Sequence, residues 1–159
     1  MIKKFIYFFG LLIFSTVLFA ANAESPEIQL LLQRVSLLES ALAPTTPAAV
    51  VKAWAEAAKN RNGAVQYMLL CPNLQKANLA QLKELNWVTG VSSPWISGYK
   101  ILPTKITNKF AIQYQFSDGS KAIQQTSDYI EVKPINIPSN PTQHWCISKF
   151  SDLSPVNHL

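Results

Sequence analysis

Cysteine is scarce in this chain: Cys71 and Cys146 are the only two in 159 residues. At most one intrachain bridge is therefore available. No cysteine stands beside Ala23, which disfavours a lipid-anchored form. Histidine is as scarce, with His144 and His158 alone. No Ser-His-Asp spacing and no carboxylate dyad accompanies them, so triad chemistry has no sequence support. Charge is sparse, and Phe5 to Phe19 carries none. Internal repeats and low-complexity tracts are absent, which leaves one ordinary domain.

What is present begins with an export signature. Lys3 and Lys4 make a positive start, and the apolar run that follows is short for a membrane span. Ala21-Asn22-Ala23 offers small residues where a signal peptidase reads. Residues 1–23 are therefore expected to be a signal peptide, with an uncleaved anchor as the alternative. The exported product is expected to be periplasmic or secreted and to start at Glu24, which its intact mass would show. Removing 23 residues from 159 leaves 136, enough for a real core. Of the 14 Lys and Arg, two leave with the signal, and 12 against 9 acids gives +3. So mild a balance in an exported chain argues against a nucleic-acid partner. In an oxidising compartment the two cysteines read first as one disulfide, Cys71–Cys146, with two buried thiols as the alternative.

Ser25-Pro26-Glu27 is a helix start: a capping hydroxyl, proline at the first position, an acid in the first turn. Ile28, Leu31, Val35, Leu38 and Leu42 follow an a/d spacing over barely two heptads. This leucine-rich helix, within residues 24–43, is expected to pack on its own domain; the alternative is self-association through those five residues. Thr46-Pro47 repeats the same start. Its helix runs to about Asn60 with Val50, Val51, Trp54, Ala57 and Ala58 inward, and Arg61-Asn62-Gly63 breaks it. A third helix covers about Ala64 to Leu70 and stops at Cys71-Pro72. Asn73 is expected to cap a fourth, carrying Leu74, Ala77, Leu82 and Leu85.

After Trp87-Val-Thr-Gly-Val-Ser-Ser-Pro-Trp-Ile-Ser-Gly-Tyr99 the apolar period falls to two. Strands are expected at Ser97–Thr104, Lys109–Ser117, Ser120–Lys133 and His144–Phe150. Asp118-Gly119 is a hairpin turn signal. In the third strand the parity of Ile123 differs from that of Ile130 and Val132, which calls for a bulge within Gln124–Asp128. Pro134 to Pro141 reads as a loop and residues 152–159 as a flexible tail.

Helices followed by an antiparallel, curved sheet of about four strands is an α+β order. It resembles the nuclear transport factor 2-like superfamily of the cystatin-like fold. Arg61-Asn62-Gly63, the Gly-Val-Ser-Ser-Pro-Trp run ending at Trp95 and the closing Trp145-x-Ile147-x-Lys149 strand are similar to small bacterial extracytoplasmic domains of that type. The likeness covers residues 47–151. It implies a cone-shaped fold with a cavity between sheet and helices. It supplies no catalytic motif.

The function expected is non-catalytic binding or scaffolding in the bacterial envelope, with an unknown envelope protein or a small apolar ligand as partner and no cofactor. Trp87, Ser92, Ser93, Trp95 and Tyr99 are the candidate pocket rim, though such rings are more often core. The first alternative is a small-molecule enzyme using the cavity, with Asp128, His144 and Tyr114 as candidate acid or base residues. The second is an oligomeric structural protein assembled through the N-terminal helix. His144 and Cys146, two apart on a strand, could with Cys71 hold a soft metal, but no further ligand motif supports one, and no metal site is expected. A disulfide at those positions requires Cys146, Ser148 and Phe150 to face the helices, leaving Trp145 and Ile147 on the other face.

Overall fold

A computed structural model describes residues 25–120, 122–137 and 140–151. The expected signal peptide and the expected tail lie outside the described residues. Four helices come first: α1 (Pro26–Leu42), α2 (Pro47–Lys59), α3 (Gly63–Leu69) and α4 (Pro72–Glu84). Four strands follow: β1 (Trp95–Pro103), β2 (Lys109–Ser117), β3 (Ala122–Ile137) and β4 (Asn140–Lys149). They form one antiparallel sheet in the order β1-β2-β3-β4, an α+β arrangement not closed into a barrel. Among the described residues no helix is long and apolar enough to cross a membrane.

The helix starts obey local chemistry. Ser25 Oγ accepts from the Ile28 amide at 3.3 Å, and Thr46 Oγ1 from the Ala49 amide at 3.2 Å. Each satisfies an amide that has no partner inside its helix. Asn62 does the same for Val65, at 3.0 Å. The fourth helix departs from expectation. Cys71 is its N-cap, without a side-chain bond, and Asn73 lies inside the first turn. Pro72 has no N–H to satisfy and its φ is already helical, so the helix starts one step before a polar cap could act.

α2 buries Val50, Val51, Trp54, Ala55, Ala57 and Ala58. Its partners on the sheet include Ile96, Ile112, Tyr114, Phe116, Ile130 and Val132, all in one apolar cluster. On β2 the inward set Ile112, Tyr114, Phe116 falls at period two, as read. Asp118-Gly119 makes the turn, with Gly119 at φ +97°.

β3 narrows one expectation and corrects another. The pairing from Lys109–Glu131 to Gln115–Gln125 is unbroken, so no bulge interrupts residues 125–131. The register shift lies between the Gln115–Gln125 and Ser117–Ala122 pairs, three steps on β3 against two on β2, so the expected bulge is present at the Gln124 end of its window or just before it. Asp128, Ile130 and Val132 consequently share one buried face. The strand also continues through Pro134, which pairs with Trp145, and β4 starts at Asn140 instead of His144. Proline is tolerated there because β2 stops at the Lys109–Glu131 pair. Past it, one edge of β3 has no ladder neighbour needing an N–H.

The disulfide joins Cys71 to Cys146 with Cα atoms 5.0 Å apart. The geometry that makes it differs from the one expected. Ile147 is wholly buried in the core opposite Val132, and Trp145 packs against the same cluster. A bulge between the Val132–Ile147 and Glu131–Lys149 pairs leaves Ser148 as the extra residue. Phe150 thereby joins the core side and meets Trp54 with ring centroids 5.1 Å apart. Cys71 does not approach from above the sheet. Leu70 bridges in parallel to Ile147, and the Cys71 amide donates to the Ile147 carbonyl at 2.9 Å. The α3–α4 junction therefore lies beside β4 like a fragment of a fifth strand, and the bond closes across that edge.

α1 departs most. None of its residues is buried, and the a/d leucines face outward. The expectation that this stripe packs on its own domain does not hold in the structure.

Candidate functional site

Two regions collect polar groups: the interior between α2 and the sheet, and the cleft where α1 crosses the β4 edge.

The interior holds two of the candidate acid or base residues. Tyr114 is wholly buried, and its hydroxyl has no well-formed hydrogen bond among the described residues, with Trp54 its nearest polar neighbour. Burial, and then the charge of Asp128, push its ionisation far above the ordinary tyrosine range. Asp128 is 5% exposed and lies on the same inward face of the sheet, opposite Ile112. Thr126 Oγ1, opposite Tyr114 in the ladder, is also buried without a partner among the described residues. Around these groups Trp54, Ile112, Phe116 and Ile130 fill the space to less than 2% exposure. At the margin Tyr99, paired with Tyr114 in the sheet, donates its hydroxyl to Glu56 Oε2 at 3.0 Å. Hydrogen bonds from Tyr99 and from Asn60 hold the Glu56 carboxyl below its usual value. Tyr99 is shifted up by burial first and by Glu56 second.

The second region is built by the α1–α2 linker. The Trp145 amide donates to the Pro44 carbonyl at 3.0 Å. His144 Nδ1 lies 3.2 Å from the Ala43 carbonyl oxygen, an acceptor, so this nitrogen carries the proton. His144 Nε2 faces buried space with no partner among the described residues. A cleft of about 190 Å³ adjoins it, walled by Ser36, Glu39 and Ser40 of α1, by Met68 and Gln75, and by Trp145. Both cysteine sulfurs are committed to the disulfide. That removes the thiolates a soft metal would need beside His144. Among the described residues no three His, Cys, Asp or Glu side chains cluster as metal ligands.

The residues read as a pocket rim sit in separate places. Trp87 is half-buried and meets Tyr67 edge-on, centroids 5.4 Å apart, in a cleft shared with Val35 and Glu39. Ser92 and Ser93 are exposed on the loop before β1. Trp95, 40% exposed, lies over the Asp118-Gly119 turn. Tyr99 is engaged with Glu56 across from α2. Asp128 and Glu131 point to opposite faces: the first is buried, and the second pairs with Lys109 at 3.2 Å.

Sequence reasoning missed Glu56, an exposed position on α2 outside the inward set. It also missed Gln66 and Thr89, both buried and joined at 2.6 Å. The only signal for that pair was a glutamine at helical spacing beside Leu69, too common to single out. No family model, no curated protein and no solved structure matches this chain.

Proposed function

We propose that the protein is an exported, non-catalytic scaffolding or binding domain of the bacterial envelope, built on a nuclear transport factor 2-like framework. The observation that carries this reading is the filled interior. A catalytic cavity needs an acid or base that substrate can reach. Tyr114 has no exposed surface, and its hydroxyl stays neutral at any physiological pH. Trp54, Phe116 and Ile130 occupy the space a ligand would take. Such a domain offers its surface instead, which favours a protein partner over a small apolar ligand. The disulfide supports export, since such bonds persist in oxidising compartments.

Native mass spectrometry of the exported protein, purified from its own host, tests the reading. Masses of polypeptide alone, singly or in assemblies, are expected. A small molecule retained by the native chain and lost on Tyr114→Phe or Asp128→Asn would overturn it in favour of the enzyme.

A second reading, assembly through the N-terminal helix, is favoured by the outward-facing stripe of α1. Its test is a concentration-dependent mass that disappears when residues 26–42 are deleted.

A further inference from the structure

We propose that α1 pairs with α1 of a second copy of this chain as a parallel, two-stranded coiled coil. The inference rests on the assembly reading above and adds orientation, register and strand number to it.

The seam is open. Ile28, Leu31, Val35, Leu38 and Leu42 are 47%, 57%, 42%, 51% and 68% exposed. The helix itself is already formed, with Ser25 and Pro26 fixing its start, so pairing need not also nucleate it. Ser36 and Ser40, which wall the cleft over β4, lie about a third of a turn or more from the seam centre. The flank of α1 that leans on its own domain is thus a different one. Val35 and Glu39 serve both sides: Val35, the least exposed of the five, borders the Tyr67–Trp87 cleft, and Glu39 borders both that cleft and the one over β4.

The residue types choose the strand number. With Ile28 at a, the a positions are Ile28, Val35 and Leu42, and the d positions are Leu31 and Leu38. β-branched residues at a with leucine at d favour two parallel strands. Leu42, in the last layer, is the one departure.

The charges choose the orientation. Arg34 then stands at g and Glu39 at e, five residues on. Five apart, the two cannot meet within one helix, where neighbours are three or four apart. Both are exposed, and neither forms an ion pair among the described residues. In a parallel pair the g side chain of one helix reaches the e side chain five residues on in the other. Arg34 would meet the partner's Glu39 on both sides of the dimer. In an antiparallel pair at full overlap Arg34 would face the partner's Arg34, a repulsion. The remaining g-to-e contact sets Glu27 beside the partner's Leu32, with no like-charge conflict. Two heptads give few core layers, so the dimer forms only as concentration rises.

Light scattering and sedimentation of the exported protein across a concentration series test this. The mass should climb from one chain to two. Leu38→Asp should hold it at one chain with an unchanged thermal midpoint. Arg34→Glu and Glu39→Arg should each weaken the dimer about tenfold, and mixing the two variants should restore it as a heterodimer with two opposite-charge pairs. Leu38→Cys should oxidise to a covalent dimer, because a parallel pair sets that position against itself. A single chain at every concentration overturns both the assembly reading and this pairing. A dimer that Leu38→Asp leaves intact overturns the pairing and moves assembly to another surface. A dimer that Leu38→Asp breaks, but that neither charge mixing restores nor Leu38→Cys traps, keeps the assembly reading and overturns the parallel register.

Discussion

Tyr99 and Glu56 show how one hydroxyl can tie a helix to a sheet edge. Glu56 is held below its ordinary value of 4.5, first by Tyr99 and then by Asn60. A depressed carboxyl contributes stability above its unfolded value, lost as pH falls through its folded one. Tyr99 runs the other way. Its raised ionisation contributes below about pH 10 and is lost as pH rises through the folded value. Tyr99→Phe should therefore move the Glu56 titration, followed by carboxylate NMR, up towards 4.5, with Asn60 retaining part of the shift. An unmoved midpoint would contradict the bond. Because Glu56 is exposed, the accompanying change in stability should be small. Gly63 makes the opposite case, a residue defined by what cannot be added. A Cβ there would stand 2.8 Å from the Trp87 carbonyl oxygen and 3.0 Å from Leu82 Cδ2. The Gly63 amide already donates to that carbonyl at 2.8 Å, so neither backbone can retreat. Gly63→Ala should cost about 1–3 kcal/mol in urea unfolding, the usual range for overpacking. Arg61-Asn62-Gly63 was readable as a helix break. That its glycine lets α3 touch the chain after α4 was not, because Trp87 is far off in sequence.

Among the elements, α2 and α1 contrast most clearly. Both begin with hydroxyl-plus-proline, and both carry a periodic apolar stripe. α2 buries six residues against the sheet and α1 buries none. Helical periodicity says that a helix has an apolar face, and it does not say what covers that face. The difference lies in the connections. The linker at Ala43 and Pro44 is held to the β4 edge through His144 and Trp145. That anchor sets α1 at the rim of the sheet and α2 across its face. Leu31→Asp should thus leave the thermal midpoint of the monomer within about a degree or two, as surface changes of under 0.5 kcal/mol do. A drop of many degrees in a dilute sample would mean that the stripe docks on its own domain after all. β3 carries a similar lesson. Its prolines suggested a loop, yet Pro134 sits where β2 has already ended. Proline excludes the middle of a sheet only where both edges are occupied.

For the whole molecule the disulfide is the longest-range constraint. It joins positions 75 apart, tying the α3–α4 junction to the final strand. Closing so long a loop restricts the unfolded chain by roughly 4 kcal/mol in the entropy model. A domain of this size has about 5–15 kcal/mol in all. Cys71→Ala combined with Cys146→Ala should thus lower the unfolding free energy by about 4 kcal/mol, read by urea titration of oxidised native protein against the variant. A loss below about 1 kcal/mol would show that the unfolded chain is already restricted by other means. Since both sulfurs are buried, mild reductant should leave the native bond intact and act once denaturant opens the β4 edge.

The sequence alone determined the features that depend on neighbours a few residues apart. The caps at Ser25 and Thr46, the turn at Asp118-Gly119 and the alternation along Phe110 to Phe116 all rest on contacts within four positions. Helical order before strand order followed from the same short-range rules, and the pairing of Cys71 with Cys146 followed from there being only two. Tertiary structure decided which faces those elements turn inward. The inward side of β4 depends on a bulge at Ser148 and on Leu70 lying beside Ile147. The exposure of α1 depends on where its linker meets β4. By sequence parity the last strand shows two faces of comparable chemistry, Trp145 with Ile147 and Cys146 with Phe150, and the bulge at Ser148 then moves Phe150 to the core side. Local propensity cannot choose between them. Burial chooses, and burial is a property of distant segments that come together only when the chain has folded.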